Sequence, residues 1–415
     1  MKKLFFPVML LAAAMCSCTE DETNMIDYPS GDSSDLVSIN VYAGTTKGTD
    51  TTTETLETKA YVELHIDDSA SKALTYKFTY DGTNWNQGAD DPIKWSDIVF
   101  PAKFYSLHDG SPYTNLTFTD DDATYTDYTV SGESSLHKDL VFHASEIDAI
   151  PADGTLSVYH KHALSKIHLY AATGTNKVYI ARARLINMDG KGTVTITPLD
   201  DDATSTDVGA SWENSGTSDS EYEYYSVESN ASAISSGDGS AKIISTLTES
   251  PLMIIPQSTT AATAEQIANS KIVGTYIEVI YYLTNVNENP LVGYAKVRNL
   301  PDGEDYISTD LDRTLYVMAA FPLAHCFLPN KEYDITLGLG SEDSTGGILI
   351  EDYYVDKDGV KVTLTKKDDG STTTPEVPDV DEGDDILDNV NSAICITVTA
   401  NSWDDGIDKE IEFTE

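Results

Sequence analysis

The sequence predicts an all-β protein built of β-sandwiches, and three observations carry that expectation. Apolar residues fall mostly in short alternating runs such as "VSINVY", "AYVELHI", "TLSVYH", "KIHLYA", "YIEVIYYL", "EYDITLGL" and "ICITVTA". These runs are rich in Val, Ile, Tyr and Thr and are cut by Gly, Asp and Asn, the pattern of half-buried strands separated by turns. Long helical patterns are scarce, so strands follow one another without intervening helices, as they do in sandwiches. The one candidate helix is the short stretch "TAATAEQIANS" at 260–270.

The chain opens with two lysines, an apolar stretch from Leu4 to Met15 and the small-residue exit "CSC". A basic start and a short apolar core read as a secretory signal, because a membrane-crossing helix needs about 20 apolar residues. The exit ends on Cys16 and Cys18 and turns acidic at Glu20, Asp21 and Glu22. It resembles the lipobox of bacterial lipoproteins, in which a cysteine thiol takes a diacylglycerol and becomes the first mature residue. Ser17 supplies the small residue before Cys18, so residues 1–18 are the expected signal peptide and Cys18 the expected lipidation site. The acidic follow-on resembles the tag that sends certain lipoproteins to the outer face of the outer membrane. Two or more acyl chains anchor firmly there, at about 0.8 kcal/mol per buried methylene.

A chain of 415 residues is long enough for two or three domains with real cores. Its net charge of −43 excludes nucleic acid and a bare anionic membrane surface as partners, since both need a basic face. Segment 19–59 reads as an N-terminal stalk. It contains a lone strand at 36–44, "LVSINVYAG", and the Thr-rich loop "TTKGTDTTTETLETK" at 45–59. Residues 60–175 form the first expected sandwich, together with strand 36–44, and close on the polar joint "ATGTNK". Residues 176–415 form the second. Within it, about 200–240 reads as a polar insertion and 366–388 as a mobile acidic loop, too polar and charged to pack.

A series of landmarks, taken in order, resembles the fimbrillin family, the outer-membrane lipoprotein pilins of the type V pilus. They are "YDGTNW" (80–85) with "IKWSD" (93–97), "VFPAKFYSLH" (99–108), "DLVFHASE" (139–146) and "GTLSVYHKHALSKIHLY" (154–170). "PLMIIPQS" (251–258), "LPNKEYDITLGLG" (328–340) and "ICITVTANSW" (394–403) complete the set, which covers most of 36–405. The resemblance implies two tandem transthyretin-like β-sandwiches and a structural, adhesive role in a surface fimbria, without catalysis or cofactor. Its implied partners are other fimbrial subunits, the outer membrane through the lipid anchor, and a host or glycan receptor. In the family an N-terminal segment is cut away by an Arg-specific protease, opening a groove for a strand of the next subunit. "LVSINVYAG" matches the removable strand by position, with Val37, Ile39 and Val41 expected inward and Ser38 and Asn40 outward. The sequence departs from the family here: its first arginine is Arg182, far beyond the linker, and Lys47 and Lys59 are the basic residues available for processing. The donor strand is expected within about 389–415. The alternative is a surface glycan-binding lipoprotein acting beside a polysaccharide importer.

The residues that suggest other chemistry have simpler readings. His160, His162 and His168 lie close in sequence, but structural zinc needs four converging ligands. Satisfied strand histidines are the expectation, with His162 filling a gap where the two domains meet. "DKDG" (356–359), "TDDDA" (119–123) and "LDDDA" (199–203) lack the spaced oxygens and distal Glu of an EF-hand loop and read as Asx and β-turns. No nucleophile motif or phosphate loop appears. Trp85 and Trp403 match core landmarks, whereas Trp212, in the polar insertion, is the expected exposed aromatic contact. Cys326 and Cys395 either pair or serve as small buried apolar side chains, and the unpaired arrangement is the expectation.

Overall fold

The computed structural model describes residues 35–42, 61–68, 73–81, 84–87, 92–108, 115–119, 121–132, 137–198, 209–215, 220–227, 229, 231–235, 242–244, 252–269, 273–294, 296–300, 305–307, 309–339, 348–377 and 396–402. Within them the chain is almost wholly β. The first strands are β1 (Ser38–Tyr42), β2 (Tyr61–Asp68), β3 (Ala73–Tyr80), β4 (Trp85–Gln87), β5 (Ala102–His108), β6 (Leu116–Phe118), β7 (Ala123–Thr129), β8 (Val141–Ile147), β9 (Thr155–Tyr159) and β10 (Lys161–His162). They are followed by β11 (Ser165–Ala172), β12 (Lys177–Met188), β13 (Lys191–Ile196), β14 (Ala210–Asn214), β15 (Ser220–Ser226), β16 (Ala233–Ile234), β17 (Lys242–Ile243) and β18 (Leu252–Ile254). The last are β19 (Tyr276–Thr284), β20 (Pro290–Val292), β21 (Val317–Pro322), β22 (Lys331–Gly338), β23 (Ile348–Leu349), β24 (Leu364–Thr365), β25 (Thr372–Thr373) and β26 (Ile396–Ser402). The short helix α1 (Ala264–Ala268) falls where the sequence predicts one. Thr263 caps it, accepting from the Gln266 amide while the Gln266 side chain reaches back to Thr263, which satisfies two otherwise orphaned donors.

The first half is a sandwich. Six strands in the order β10-β8-β5-β2-β3-β4 form one wall, and the pair β1-β9 lies across from it. Between them pack Leu64, Ile66, Phe78, Phe104, Trp95, Leu156 and Val158 with Val37 and Ile39. The second half encloses the larger core between the sheet β17-β11-β22-β26 and the sheet β15-β12-β19-β21-β23. Strand β19 is central and buried along its whole length, so "YIEVIYYL", expected from its alternation to be a half-buried strand, is instead covered on both faces. Its single charge, Glu278, is held by Arg184 at 2.8 Å and Arg182 at 3.3 Å, as a buried carboxylate requires.

Several boundaries differ from the sequence expectation. β11, the last strand of the segment 60–175, pairs with β18 and runs parallel to β22, from Ser165↔Lys331 to Ala172↔Gly338. Its Ile167, Leu169 and Ala171 belong to the core of the second half. The "ATGTNK" stretch is therefore no joint between domains: it is the tight turn from β11 to β12, closed by Asn176 N donating to Thr173 O at 3.0 Å. The sheet β14-β13-β7-β6 bridges the halves, with β7 of the first paired antiparallel to β13 of the second. The polar stretch near 200–240 is also no mere insertion, since it supplies β14, β15 and β16. The start of the acidic loop is folded too. Lys366 N bonds to Ser371 O across a β24–β25 hairpin, and Val377 N donates to Asp352 O. Residues 378–388 lie outside the described residues.

Candidate functional site

The candidate site is the seat of β1. Alternation along "LVSINVY" turns one face inward: Val37 and Ile39 are 1% and 3% exposed, while Ser38 and Asn40 face solvent. The Val41 side chain lies outside the described residues, as do Lys47, Lys59 and Cys18. β1 runs parallel to β9, from Ser38↔Thr155 to Tyr42↔Tyr159. Among the described residues β1 is the only ladder partner β9 has. Below lies Trp95, from "IKWSD", fully buried with its indole donating to Gly154 O at 2.9 Å and its ring against Phe100 and Phe104. Trp85, from "YDGTNW", packs half-buried on the same cluster.

The opposite edge of β1 is held by side chains and one short bridge, and here the sequence held no warning. Leu36 bridges Lys94, and Val37 N donates to Ile93 O at 3.1 Å. Gln87 completes the edge: its Nε2 donates to Val37 O and to Ile93 O, and its Oε1 accepts from Ile93 N at 2.6 Å. A lone Gln in a loop-flanked strand carries no sequence signal for such a part.

The three clustered histidines go to three separate partners. His160 Nε2 lies 3.1 Å from Ser106 Oγ, His162 Nδ1 2.5 Å from Asp139 Oδ2, and His168 Nε2 3.1 Å from Glu332 Oε1. His162 and Asp139 are both buried where the two halves meet. The crossing is tied further by His162 N to Asn330 Oδ1 (3.1 Å), Asn330 N to Leu164 O (3.1 Å) and Trp212 Nε1 to Ala163 O (2.8 Å). Asp139 and Asn330 stand inside the quoted landmarks "DLVFHASE" and "LPNKEYDITLGLG", but nothing local marks them as partners of the His162 stretch. Among the described residues no cluster of His, Cys, Asp and Glu is arranged to hold a metal, and no helix is long and apolar enough to cross a membrane.

The acidic turns are turns by geometry. Asp356 Oδ1 accepts from Asp358 N and Val360 N, each at 2.9 Å, with Gly359 at φ +82°. Thr119 Oγ1 accepts from Asp121 N and Asp122 N in the same way.

Two expectations are corrected. Trp212 is no exposed platform: pairing of β14 with β13 turns it inward, half-buried and edge-on to Tyr128 at 5.7 Å. Cys326 is a free and exposed thiol, not a buried one, because its bridge to Ser258 lies at the rim of the fold. Cys395, Trp403 and the "LDDDA" turn lie outside the described residues.

Burial pushes His65, His137 and His143 down from about 6.5 to about 4. The folded chain keeps them neutral where the unfolded chain already binds protons. Stability from these groups is thus complete above pH 6.5 and is lost as pH falls toward 4. Urea midpoints are expected to drop between pH 6.5 and 5, where most carboxylates are still charged. Replacing the three histidines by Gln should flatten that slope; an unchanged slope would refute the assignment.

Solved structures offer distant likenesses. A candidate cell adhesion protein from Bacteroides uniformis is 11% identical, with 89% of this chain and 99% of that one covered and a TM-score of 0.38. Another, from Parabacteroides distasonis, is 12% identical over 89% and 97% of the two chains, with a TM-score of 0.38. The tip fimbrial protein Mfa3 from Porphyromonas gingivalis, with a C-terminal truncation, is 9% identical over 67% and 89%, with a TM-score of 0.32. At such scores the likeness carries no argument about function. No family model matches the chain, and no curated relative is found.

Proposed function

We propose that this chain is a structural and adhesive subunit of a surface fimbria, tethered to the outer membrane by a lipid on Cys18 and assembled by strand exchange at the seat of β1. The observation that supports this most directly is the one-sided wall: β9 has β1 as its ladder partner, and β1 covers an apolar floor. Without β1, the backbone groups of β9 and the rings and aliphatics beneath it face water, a vacancy that favours an incoming strand. Such a strand gains main-chain hydrogen bonds and alternate side-chain pockets. The buried Val37 and Ile39 indicate what it gains, roughly 1.5–3 kcal/mol for each aliphatic side chain.

The donor in this reading is the C-terminal strand. Among the described residues β26 sits at the edge of its sheet, paired on one side with β22, and its Ile396, Val398 and Ala400 alternate with Thr397, Thr399 and Asn401. That is the apolar–polar alternation of Val37 to Val41. Cutting near Lys47 or Lys59, followed by loss of the N-terminal fragment, is expected to convert a monomer into polymers by light scattering, while the uncut chain stays monomeric. A fragment-free chain that remains monomeric at high concentration defeats the stalk role.

Lipidation has its own test. Cys18→Ala should release the protein from the membrane fraction while Cys16→Ala leaves it there; retention of the Cys18 variant refutes the anchor. The glycan-binding alternative calls for an exposed aromatic platform, and the inward turn of Trp212 leaves it only scattered tyrosines such as Tyr159 as candidates.

A further inference from the structure

Strand exchange requires β1 to leave, and the attachments described at its first end bear on when it can. Outside the ladder to β9, the attachments seen among the described residues gather at its first end, Asp35–Ser38. Asp35 Oδ2 accepts from Ser96 Oγ at 2.5 Å and Oδ1 from Ser96 N at 3.3 Å. Leu36 bridges Lys94, and Val37 bonds Ile93 and Gln87. Ser38 Oγ donates to Gly154 O at 3.0 Å, the same carbonyl that Trp95 holds. Gln87 is the centre of this set. Both hydrogens of its Nε2 and the acceptor Oε1 are engaged, so its amide stands in for a neighbouring strand on the edge of β1 away from β9. The other end of β1, at Tyr42, leads into the segment that carries Lys47 and Lys59.

We infer that Gln87, supported by the Asp35–Ser96 pair, is a latch that keeps β1 seated after the chain is cut between residues 43 and 60. This rests on the strand-exchange reading and adds to it: cutting is necessary for β1 to leave, but the latch sets when it does. Cutting removes the covalent tether and its high effective concentration, yet none of the bonds at Asp35–Ser38. An incoming strand then meets β9 first at Tyr159, opposite the newly freed Tyr42, and displaces β1 pair by pair toward Val37. The last bonds to break are those to Gln87 and Ser96. Gln87 is thus a positioning residue for assembly.

The test uses the chain with a site for a specific protease placed within 45–59. After cutting, the N-terminal fragment of the wild-type chain is expected to co-elute with the body of the protein in gel filtration and to appear bound in native mass spectrometry. Gln87→Leu, similar in size but without hydrogen bonds, should lose the fragment roughly three- to tenfold faster, the change expected from removing the one modest hydrogen bond that Gln87 makes to β1, at Val37 O. Ser96→Ala, which leaves the apolar floor untouched, should give a smaller acceleration. Circular dichroism of the uncut variants establishes that they fold; should Gln87→Leu fail to do so, Ser96→Ala carries the measurement. Departure of the wild-type fragment on cutting, or release from both variants at the wild-type rate, overturns the latch. Failure of fragment-free protein to polymerise overturns strand exchange instead, so the two results separate.

Discussion

Replacing Ile39 by Asp is expected to unseat β1 without any cut. Ile39 is 3% exposed and packs in the cluster of Leu156, Val158 and Trp95. An unpaired carboxylate there forfeits the roughly 1.5–3 kcal/mol of aliphatic burial and adds a desolvation cost of several kcal/mol. The chain has a route around that cost, because β1 can lift away and carry the charge into water while the six-stranded wall stays folded. The penalty is then limited to the free energy that seats β1. Hydrogen exchange should show the amides of 38–42 and their partners in β9 losing protection, with β5 and β8 unchanged. The same substitution one residue on, Asn40→Asp, places the charge on the solvent face and should stay within about 0.5 kcal/mol of wild type. Equal protection of β1 in both variants would show that this face is not the one holding the strand. If strand exchange operates as proposed, the Ile39→Asp chain should also associate uncut, since its groove is open while the donor remains attached.

The second large effect is expected at the crossing between the halves. Asp139→Ala leaves His162 buried without the carboxylate that stands 2.5 Å from its Nδ1. Removing one member of a buried hydrogen-bonded pair costs about 1–3 kcal/mol, because the surviving group stays desolvated and loses its partner. Urea midpoints at neutral pH should fall accordingly. The double replacement Asp139→Leu with His162→Phe should recover much of the loss, since no polar group is then left unsatisfied. If the double variant is as unstable as the single, the pair matters for shape rather than for mutual satisfaction. The location makes the effect matter for assembly. Strand β9 continues through His160 and His162 into β11, which lies beside β22, and β22 carries β26. One run of chain, 155–172, therefore serves both the seat of β1 and the sheet that holds the expected donor.

These expectations separate what local sequence encodes from what it does not. Alternation with period two shows which side chains of a strand face inward, because successive residues point to opposite faces. On that basis the all-β class and the inward Val37 and Ile39 were legible; the stretch "TAATAEQIANS" marked the short helix, and local turn chemistry made the Asp356 and Thr119 turns legible too. Alternation does not show what a strand pairs with. β11 is as regular in sequence as β9, yet one joins β22 from far along the chain and the other joins β1. The polar stretch near 200–240 looks like an insertion until β14 and β15 find their neighbours, and only that pairing turns Trp212 inward. Gln87 reads as an ordinary polar residue until tertiary structure brings Val37 and Ile93 to its amide. The sequence alone determined that this protein folds as short strands and which face of β1 turns inward. Only the tertiary structure decided which strands share an edge, because ladder partners are chosen by long-range packing and register rather than by any property of the strand itself.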